Sequence, residues 1–418
     1  MLAAVQRNDL DLEAWETLIL QAARNGGAGA LATLLKAWRP PRGTQVCGRC
    51  GQLMKSRGRR TKQLLTLLGK IPFSRSGYRC LQCHDWSFPA DQVLQIENTM
   101  YSPGVRRLMA RAGGNTDFQQ AAADLDCYAG IVVEPREIER IAESVGRQIE
   151  AWLGRCQSPE AVAAVIPKFY VSFDGTGIPM RRSELAGRKG RQTDGTSRTR
   201  EVKLGCVFTQ IGVDAKGHPQ READSTTYVG AIETSTCFGW RIFAEAQRRG
   251  LAQAQLVIVL TDGARYNRTI AQTHFPKAIH IVDLYHAYEH LNQVAQLLWG
   301  SEAKTPKKWK RLLKAGKIAD LLTHVQRQAK GLPSRQASLQ KSLAYFRTNK
   351  DHMRYGDYRR KKLFVGSGVV EAGCRTVIGQ RLKHSGMRWS LRGANAIIAL
   401  RCCLLSRKFE DFWAAASS

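Results

Sequence analysis

The 418-residue chain has no uninterrupted apolar stretch near the roughly 20 residues that a bilayer span needs, so no membrane segment is expected. It shows no internal repeat and no long low-complexity tract. Acidic residues are scarce: 35 Asp plus Glu stand against 64 Lys plus Arg, a formal net charge of +29. That imbalance argues for a polyanionic partner, nucleic acid before a membrane surface. An apolar leader is missing as well. The opening residues MLAAVQRNDLDLEAWE carry acids where a signal peptide would be apolar, so a cytoplasmic protein is expected. The eleven cysteines are an odd count in a long chain. A secreted disulfide scaffold is disfavoured, and metal binding or buried free thiols are the better readings. What is present suffices for sizeable cores: 43% of residues are apolar and 8% aromatic. At about 150 residues per domain, the length suggests two to four domains.

Composition changes along the chain. Residues 1–38 read as an amphipathic helical segment with Leu10, Leu12, Trp15, Leu18 and Leu20 as packing residues, closed by the turn Arg39-Pro40-Pro41-Arg42-Gly43. Residues 36–80 hold twelve Lys/Arg and no acid. Residues 100–160 read as helical. From 168 to 285 the pattern turns strand-like, in KFYVSFD, LGCVFTQIGV, AQLVIVLTD and AIHIVD. A basic helical region follows, with eighteen Lys/Arg against four acids over 301–365, and helices resume after Gly366-Ser367-Gly368.

Within 39–99, Cys47-Gly48-Arg49-Cys50 and Cys80-Leu81-Gln82-Cys83 form two C-x-x-C knuckles. Two such knuckles complete a closed tetrahedral Zn²⁺ site, which is structural because no coordination position stays open. Gly48 eases the first turn, and His84 stands beside the second as a supporting or substitute ligand. The adjoining Lys55, Arg57, Arg59, Arg60 and Lys62 form a candidate phosphate clamp; a ribbon that only braces its domain is the competing reading. The stretch from Asn115 to Trp152 fits a helix-turn-helix. Phe118, Ala121, Ala122 and Leu125 share one face of its first helix, and Ile138, Ile141 and Val145 the buried face of its second. Arg136, Arg140 and Arg147 are then available to DNA. A helical pair that only packs or dimerises competes with this.

The strand KFYVSFD ends at Asp174-Gly175, and AQLVIVL ends in Thr261-Asp262-Gly263. If the two strands are neighbours, both carboxylates emerge together and repel unless a cation lies between them. Mg²⁺ suits that geometry. A third acid would complete a two-metal site for phosphoryl transfer, and the candidates are Asp283, Glu289 and Glu371. Glu371 opens a stretch with no further acid before Glu410, while Arg375, Arg381, Lys383, Arg388 and Arg392 accumulate. A helix is expected from about Val369, with Val370, Cys374 and Val377 as its buried stripe. Two strand-ending Asp-Gly turns and an ordinary acid at a helix N-terminus are the bland alternative.

The fragments VSFDGTGIP, LTDGA, DLYHAYEHL and GSGVVEAGCRTVIGQRLKHSGMRW closely resemble DDE-type transposases of bacterial insertion sequences, nearest the IS-Kra type and more loosely the Mutator-like enzymes. The resemblance covers most of residues 165–413. It implies an α/β fold with an RNase H-like catalytic core interrupted by a helical insertion. The N-terminal helical segment (1–38), a zinc ribbon (39–99) and the helical region (100–160) would precede it as DNA-binding regions. The core would occupy 165–290 and 366–418, with the basic insertion at 291–365.

On this resemblance the catalytic, Mg²⁺-binding residues are Asp174 on the first strand, Asp262 after the fourth, and Glu371 on the helix after the insertion. Asp174 would bridge two Mg²⁺ ions, with Mn²⁺ able to substitute. Asp283 and His286 form a D-x-x-H signature read as site architecture, and His290 completes an H-x-x-x-H pair. Tyr285 and Tyr288 are read as packing groups, since the chemistry needs no covalent nucleophile. Arg375, Arg381, Lys383 and Arg388 would neutralise DNA near the cut, and Trp389 would stack on a displaced base or fill the core. The expected function is metal-dependent cleavage at insertion-sequence ends and strand transfer into target DNA. The expected partners are double-stranded transposon ends and target, with a homodimer or higher oligomer on the bacterial nucleoid. A nuclease or resolvase that cuts without joining, and a catalytically idle DNA-binding descendant, are the rival functions.

Overall fold

The computed structural model describes residues 11–38, 44–155, 165–188, 197–329 and 336–417. Leu10 and the turn at 39–43 lie outside them. The chain divides into two compact units, Met1–Ala142 and Glu143–Ser418.

In the first unit, helix α1 (Leu12–Ala37) is N-capped by Asp11, whose carboxylate accepts the Ala14 N–H at 2.9 Å. Its packing residues are not those expected. Leu12 is 68% exposed, and Trp15, Leu18 and Leu20 are also exposed. The C-terminal half supplies the contacts instead, through Ala28, Leu31, Ala32 and Leu35. Only that half reaches the hairpin core of Leu64, Ile71, Phe73, Ala90 and Ile96. Strands β1 (Lys55–Thr66) and β2 (Gly69–Arg79) pair antiparallel, and a short β3 (Trp86–Ser87) joins β2. Helices α2 (Pro89–Val93), α3 (Pro103–Asn115) and α4 (Phe118–Ala129) follow, and α5 (Pro135–Arg155) begins in this unit and continues from Glu143 as part of the second. Gly130 ends α4 in the left-handed region, which only glycine enters without cost. Ala121 and Leu125 of α4 are buried, as are Ile138 and Ile141 of α5, while Phe118 and Ala122 are half-buried.

The second unit is built on a mixed sheet. Its strands are β4 (Phe169–Pro179), β5 (Thr199–Val213), β6 (Pro219–Arg221), β7 (Thr227–Ala231), β8 (Val257–Thr261) and β9 (Ile279–Val282). Central β4 pairs antiparallel with β5 on one side and parallel with β8 on the other. The outer neighbours are β9, parallel to β8, and β6 and β7, both antiparallel to β5. Both faces are covered, which explains why the central strands read as unbroken apolar runs. Phe169, Val171 and Phe173 face one core with α6 (Ser235–Arg248) and α7 (Arg265–His274). Tyr170 faces the other with α8 (Leu284–Trp299).

The basic region forms α9 (Lys307–Lys314), α10 (Ile318–Gln328), α11 (Gln336–Asn349) and α12 (Tyr355–Arg360). These helices share that second core through Trp309, Leu321, Leu343 and Tyr355, so they are packed onto the sheet layer rather than separate from it. The chain then enters α13 (Gly368–Gly373), passes through a π-helical turn (Cys374–Gly379) and closes with Gln380–Leu382. Helices α14 (Leu391–Leu405) and α15 (Phe409–Ser417) finish the unit. Among the described residues no helix is long and apolar enough to cross a membrane.

Candidate functional site

In the first unit the four thiols converge. The sulfur atoms of Cys47, Cys50, Cys80 and Cys83 all lie within 4.8 Å of one another. Cys47 and Cys83 are 3.2 Å apart, Cys50 and Cys80 3.5 Å, Cys50 and Cys83 3.8 Å. These spacings are far beyond a disulfide bond of about 2.05 Å. They approach the edge of roughly 3.8 Å expected for a tetrahedron with Zn–S near 2.3 Å. The turn glycine of the first knuckle is Gly51 rather than Gly48: it has φ +72° and donates its N–H to the Cys47 carbonyl at 2.9 Å. The second knuckle turns through His84 at φ 60°. The Cys83 backbone N–H is the largest influence on Cys80, and holds its thiol down to about 6 against the opposing effect of burial. A donor set of four soft thiols, one of them held toward the thiolate, fits Zn²⁺.

In the neighbouring hairpin Arg57, Arg59 and Arg60 are exposed. Arg59 donates to the Ser74 carbonyl at 2.6 Å, and Arg60 lies over the Trp86 ring. Lys62 does not join them. It turns inward to Asp91 at 3.1 Å and to the Ile96 carbonyl at 2.7 Å, because Asp91 is buried and needs cationic partners. On α5, Arg136 is exposed, Arg140 pairs with Glu137 at 2.7 Å and Arg147 with Glu143 at 3.5 Å.

In the second unit the carboxylates meet at the end of the sheet. Strands β4 and β8 run parallel with Ser172 opposite Leu260. Asp174 and Asp262 each lie two residues further on, at the same level and on the same face; β8 ends at Thr261 as expected, but β4 does not end at Asp174 and runs on to Pro179, because β5 pairs with it along that whole length. Gly175 donates to Asp174 Oδ1 at 2.6 Å. Ala264 N and Asn267 Nδ2 both donate to Asp262 Oδ1, at 2.8 and 2.7 Å, and Tyr345 Oη donates to the Asp262 carbonyl at 2.9 Å. Burial raises the Asp174 pKa, the charges of Asp262 and Glu371 raise it further, and the Gly175 N–H and His286 oppose them. Asp174 thus senses both other acids.

Glu371 lies in the first turn of α13, where Ser367 Oγ donates to its Oε1 at 2.5 Å and His286 Nε2 stands 3.8 Å from the same oxygen. Asp283 is fully buried, accepts the Tyr285 and His286 N–H groups at 2.5 and 2.8 Å, and also accepts the Ser367 N–H. It therefore ties the start of α8 to the start of α13. Cys374 Sγ lies 4.0 Å from Asp174 Oδ2, its thiol pushed up to about 12 by burial. Among the described residues, the four cysteines are the one metal-ligand group drawn within 4.8 Å; the three acids are spaced more widely.

Other expectations are redistributed. Arg375, Lys383 and Arg388 are exposed, and Lys383 Nζ reaches Thr176 Oγ1 of β4 at 2.5 Å. Arg381 is fully buried and Trp389 is 6% exposed. The Arg381 guanidinium lies over the indole, whose N–H donates to the Leu382 carbonyl at 3.0 Å. Neither presents a surface to DNA, since their partners are inside the protein; Trp389 takes its core role. His290 stacks on Tyr345 with ring centroids 3.8 Å apart, while His286 faces the acids, so the H-x-x-x-H pair does not share a ligand set. Tyr285 is 64% exposed and is not a packing group. Asn267 and Ser367, which hold Asp262 and Glu371, were not singled out by the sequence; Ser367 had the signal of lying one turn before Glu371.

No family model matches this chain, and no curated protein does. Among solved structures, the chain is similar to a Drosophila P element transposase strand transfer complex at 8% identity, over 77% of this chain and 83% of that one, with a TM-score of 0.27. A likeness of that size carries no argument about what this chain does.

Proposed function

We propose that the chain is a DDE-type DNA transposase whose RNase H-like core cleaves and joins phosphodiester bonds with Asp174, Asp262 and Glu371. The observation that carries this reading is the register of β4 and β8, which sets two aspartates side by side, with Glu371 close enough to raise the Asp174 pKa. The core strands also support it. Taking β4, β5, β7 and β8 as the four principal strands, Asp174 stands on the first, Asp262 follows the fourth, and Glu371 comes after the basic helices. Clustered, partly desolvated carboxylates with no lysine or arginine ion pair among the described residues are a donor set suited to Mg²⁺.

Bound there, Mg²⁺ would supply Lewis acidity to an attacking water or DNA 3′-hydroxyl and to the leaving 3′-oxygen. The chain's own residues do the positioning. Asn267 and the Ala264 N–H both donate to Oδ1 of Asp262 and so fix its carboxylate. Ser367 orients Glu371, and Asp283 fixes Ser367. Arg375, Lys383 and Arg388 offer exposed charge to the phosphate backbone. The four cysteines would hold a structural Zn²⁺ that crosslinks the two knuckles, and the basic hairpin beside them would contact DNA. Double-stranded transposon ends and target DNA are the proposed partners.

Two assays test this. Supercoiled DNA should be nicked by the wild type in Mg²⁺, and the Asp174→Ala variant should lose nicking while retaining DNA binding. Pre-cut ends should then be joined to target. Equal inactivity of wild type and variant would leave a DNA-binding protein; cutting without joined product would leave a nuclease.

A further inference from the structure

A second feature of the same unit is not used by the acids. A cleft of about 620 Å³ is walled by the end of α9, by α12, by residues 362–368 and by the start of β6, with Tyr285 of α8 at its side. No aspartate or glutamate lines it, while Lys314, Arg359 and Lys362 do. All three are exposed. The nearest acid along α12, Asp357, is already committed to Arg360. The lining residue His218 is paired with Asp214, whereas Lys314, Arg359 and Lys362 give the cleft an excess of positive charge that suits an anion.

It also holds an aromatic platform. Tyr285 is 64% exposed in the first turn of α8. Its ring abuts Gly366, where an added Cβ would come within 2.6 Å of it, and stands edge-on to Tyr288 with centroids 6.5 Å apart. The ring is held at its edge and open elsewhere. A flat, restrained aromatic face beside several cations is the chemistry that recognises a base joined to phosphates. The volume lies within the range of small-ligand sites and is too small for a duplex.

The cleft adjoins the acids through shared backbone. Gly366 and Gly368 line it, and between them Ser367 donates its N–H to Asp283 and its hydroxyl to Glu371.

We propose that this cleft takes an unpaired nucleotide of a DNA strand, its base stacked on Tyr285 and its phosphates on Lys314, Arg359 and Lys362. The choice of a DNA strand rests on the function proposed for the neighbouring acids; the base-and-phosphate chemistry does not.

The test reads binding by the full-length, zinc-loaded protein without Mg²⁺. Fluorescence anisotropy compares a blunt duplex with the same duplex carrying a short unpaired stretch, in which 2-aminopurine reports stacking. The wild type is expected to prefer the unpaired substrate and to quench 2-aminopurine. Tyr285→Ala should weaken binding to that substrate on the order of tenfold and abolish the quench, with the blunt duplex unaffected; Tyr285→Trp should retain both. The Lys314→Ala, Arg359→Ala double variant should lower the salt slope by about 1.4. If both variants keep the wild-type circular dichroism and bind both DNAs as the wild type does, the proposal is overturned. A deoxynucleoside triphosphate whose binding depends on Tyr285 while unpaired DNA does not would also overturn it, assigning the cleft to a soluble nucleotide. Because binding is read without Mg²⁺, a wild type that fails to nick DNA in the separate Mg²⁺ assay would sink the transposase reading and leave this result standing. Nicking with no effect of Tyr285→Ala on binding would sink this inference alone.

Discussion

Asp174 illustrates the cost of drawing acids together in a partly buried place. Burial and two neighbouring carboxylates raise its pKa. A carboxylate raised in this way costs stability wherever it is ionised: fully above its folded pKa, and not at all below its unfolded one. Metal-free protein should therefore gain stability from this residue as pH falls through that window. Asp174→Asn should stabilise the metal-free protein at neutral pH, and on the proposed function Mg²⁺ should stabilise the wild type but not the variant; urea titrations with and without Mg²⁺ read both. Asn267 offers a companion case. It is fully buried and holds Asp262 Oδ1 at 2.7 Å. Asn267→Ala should slow Mg²⁺-dependent nicking by about tenfold or more through misplacement of Asp262, with DNA affinity unchanged.

At the scale of elements, two glycines on α5 separate packing from propensity. A Cβ on Gly146 would come within 2.0 Å of the Ala396 carbonyl oxygen of α14, whereas one on Gly154 would meet nothing within 4 Å. Gly146→Ala should destabilise by about 2–3 kcal/mol, since backbone must move to make room. Gly154→Ala should stabilise by roughly 0.5–1 kcal/mol through helix propensity alone. Equal and small changes in chemical denaturation would show that α5 and α14 do not pack as closely as described.

For the molecule as a whole, charge and zinc set the expected behaviour. With a net charge of +29, DNA affinity should fall steeply with salt, by about 10³–10⁵ between 50 and 200 mM if six to ten phosphates are neutralised. Native mass spectrometry should find one Zn²⁺ per chain. Cys80→Ser should lose it and cost the first unit roughly 3 kcal/mol or more, because the free energy of binding a structural metal is folding free energy.

Much of this was legible in residue order. The knuckle spacing announced a thiol cluster, because ligands with two residues between them come from one turn. The apolar runs ending at Asp174 and Asp262 announced buried strands, because a strand covered on both faces needs apolar residues throughout. The one-sided charge is the ground for expecting an anionic partner. Tertiary structure decided the rest. Sequence alone had α1 bury its first half, yet only its second half meets the hairpin. It set Arg381 beside Arg375 and Lys383 as equals, but the π-helical turn leaves Arg381 inside and the other two outside. It read Tyr285 as packing, while Asp283 caps α8 so that this ring faces outward beside three cations. Periodicity says which residues share a face of an element. Which face meets a partner depends on contacts between residues far apart in the chain, and these exist only once the chain has folded.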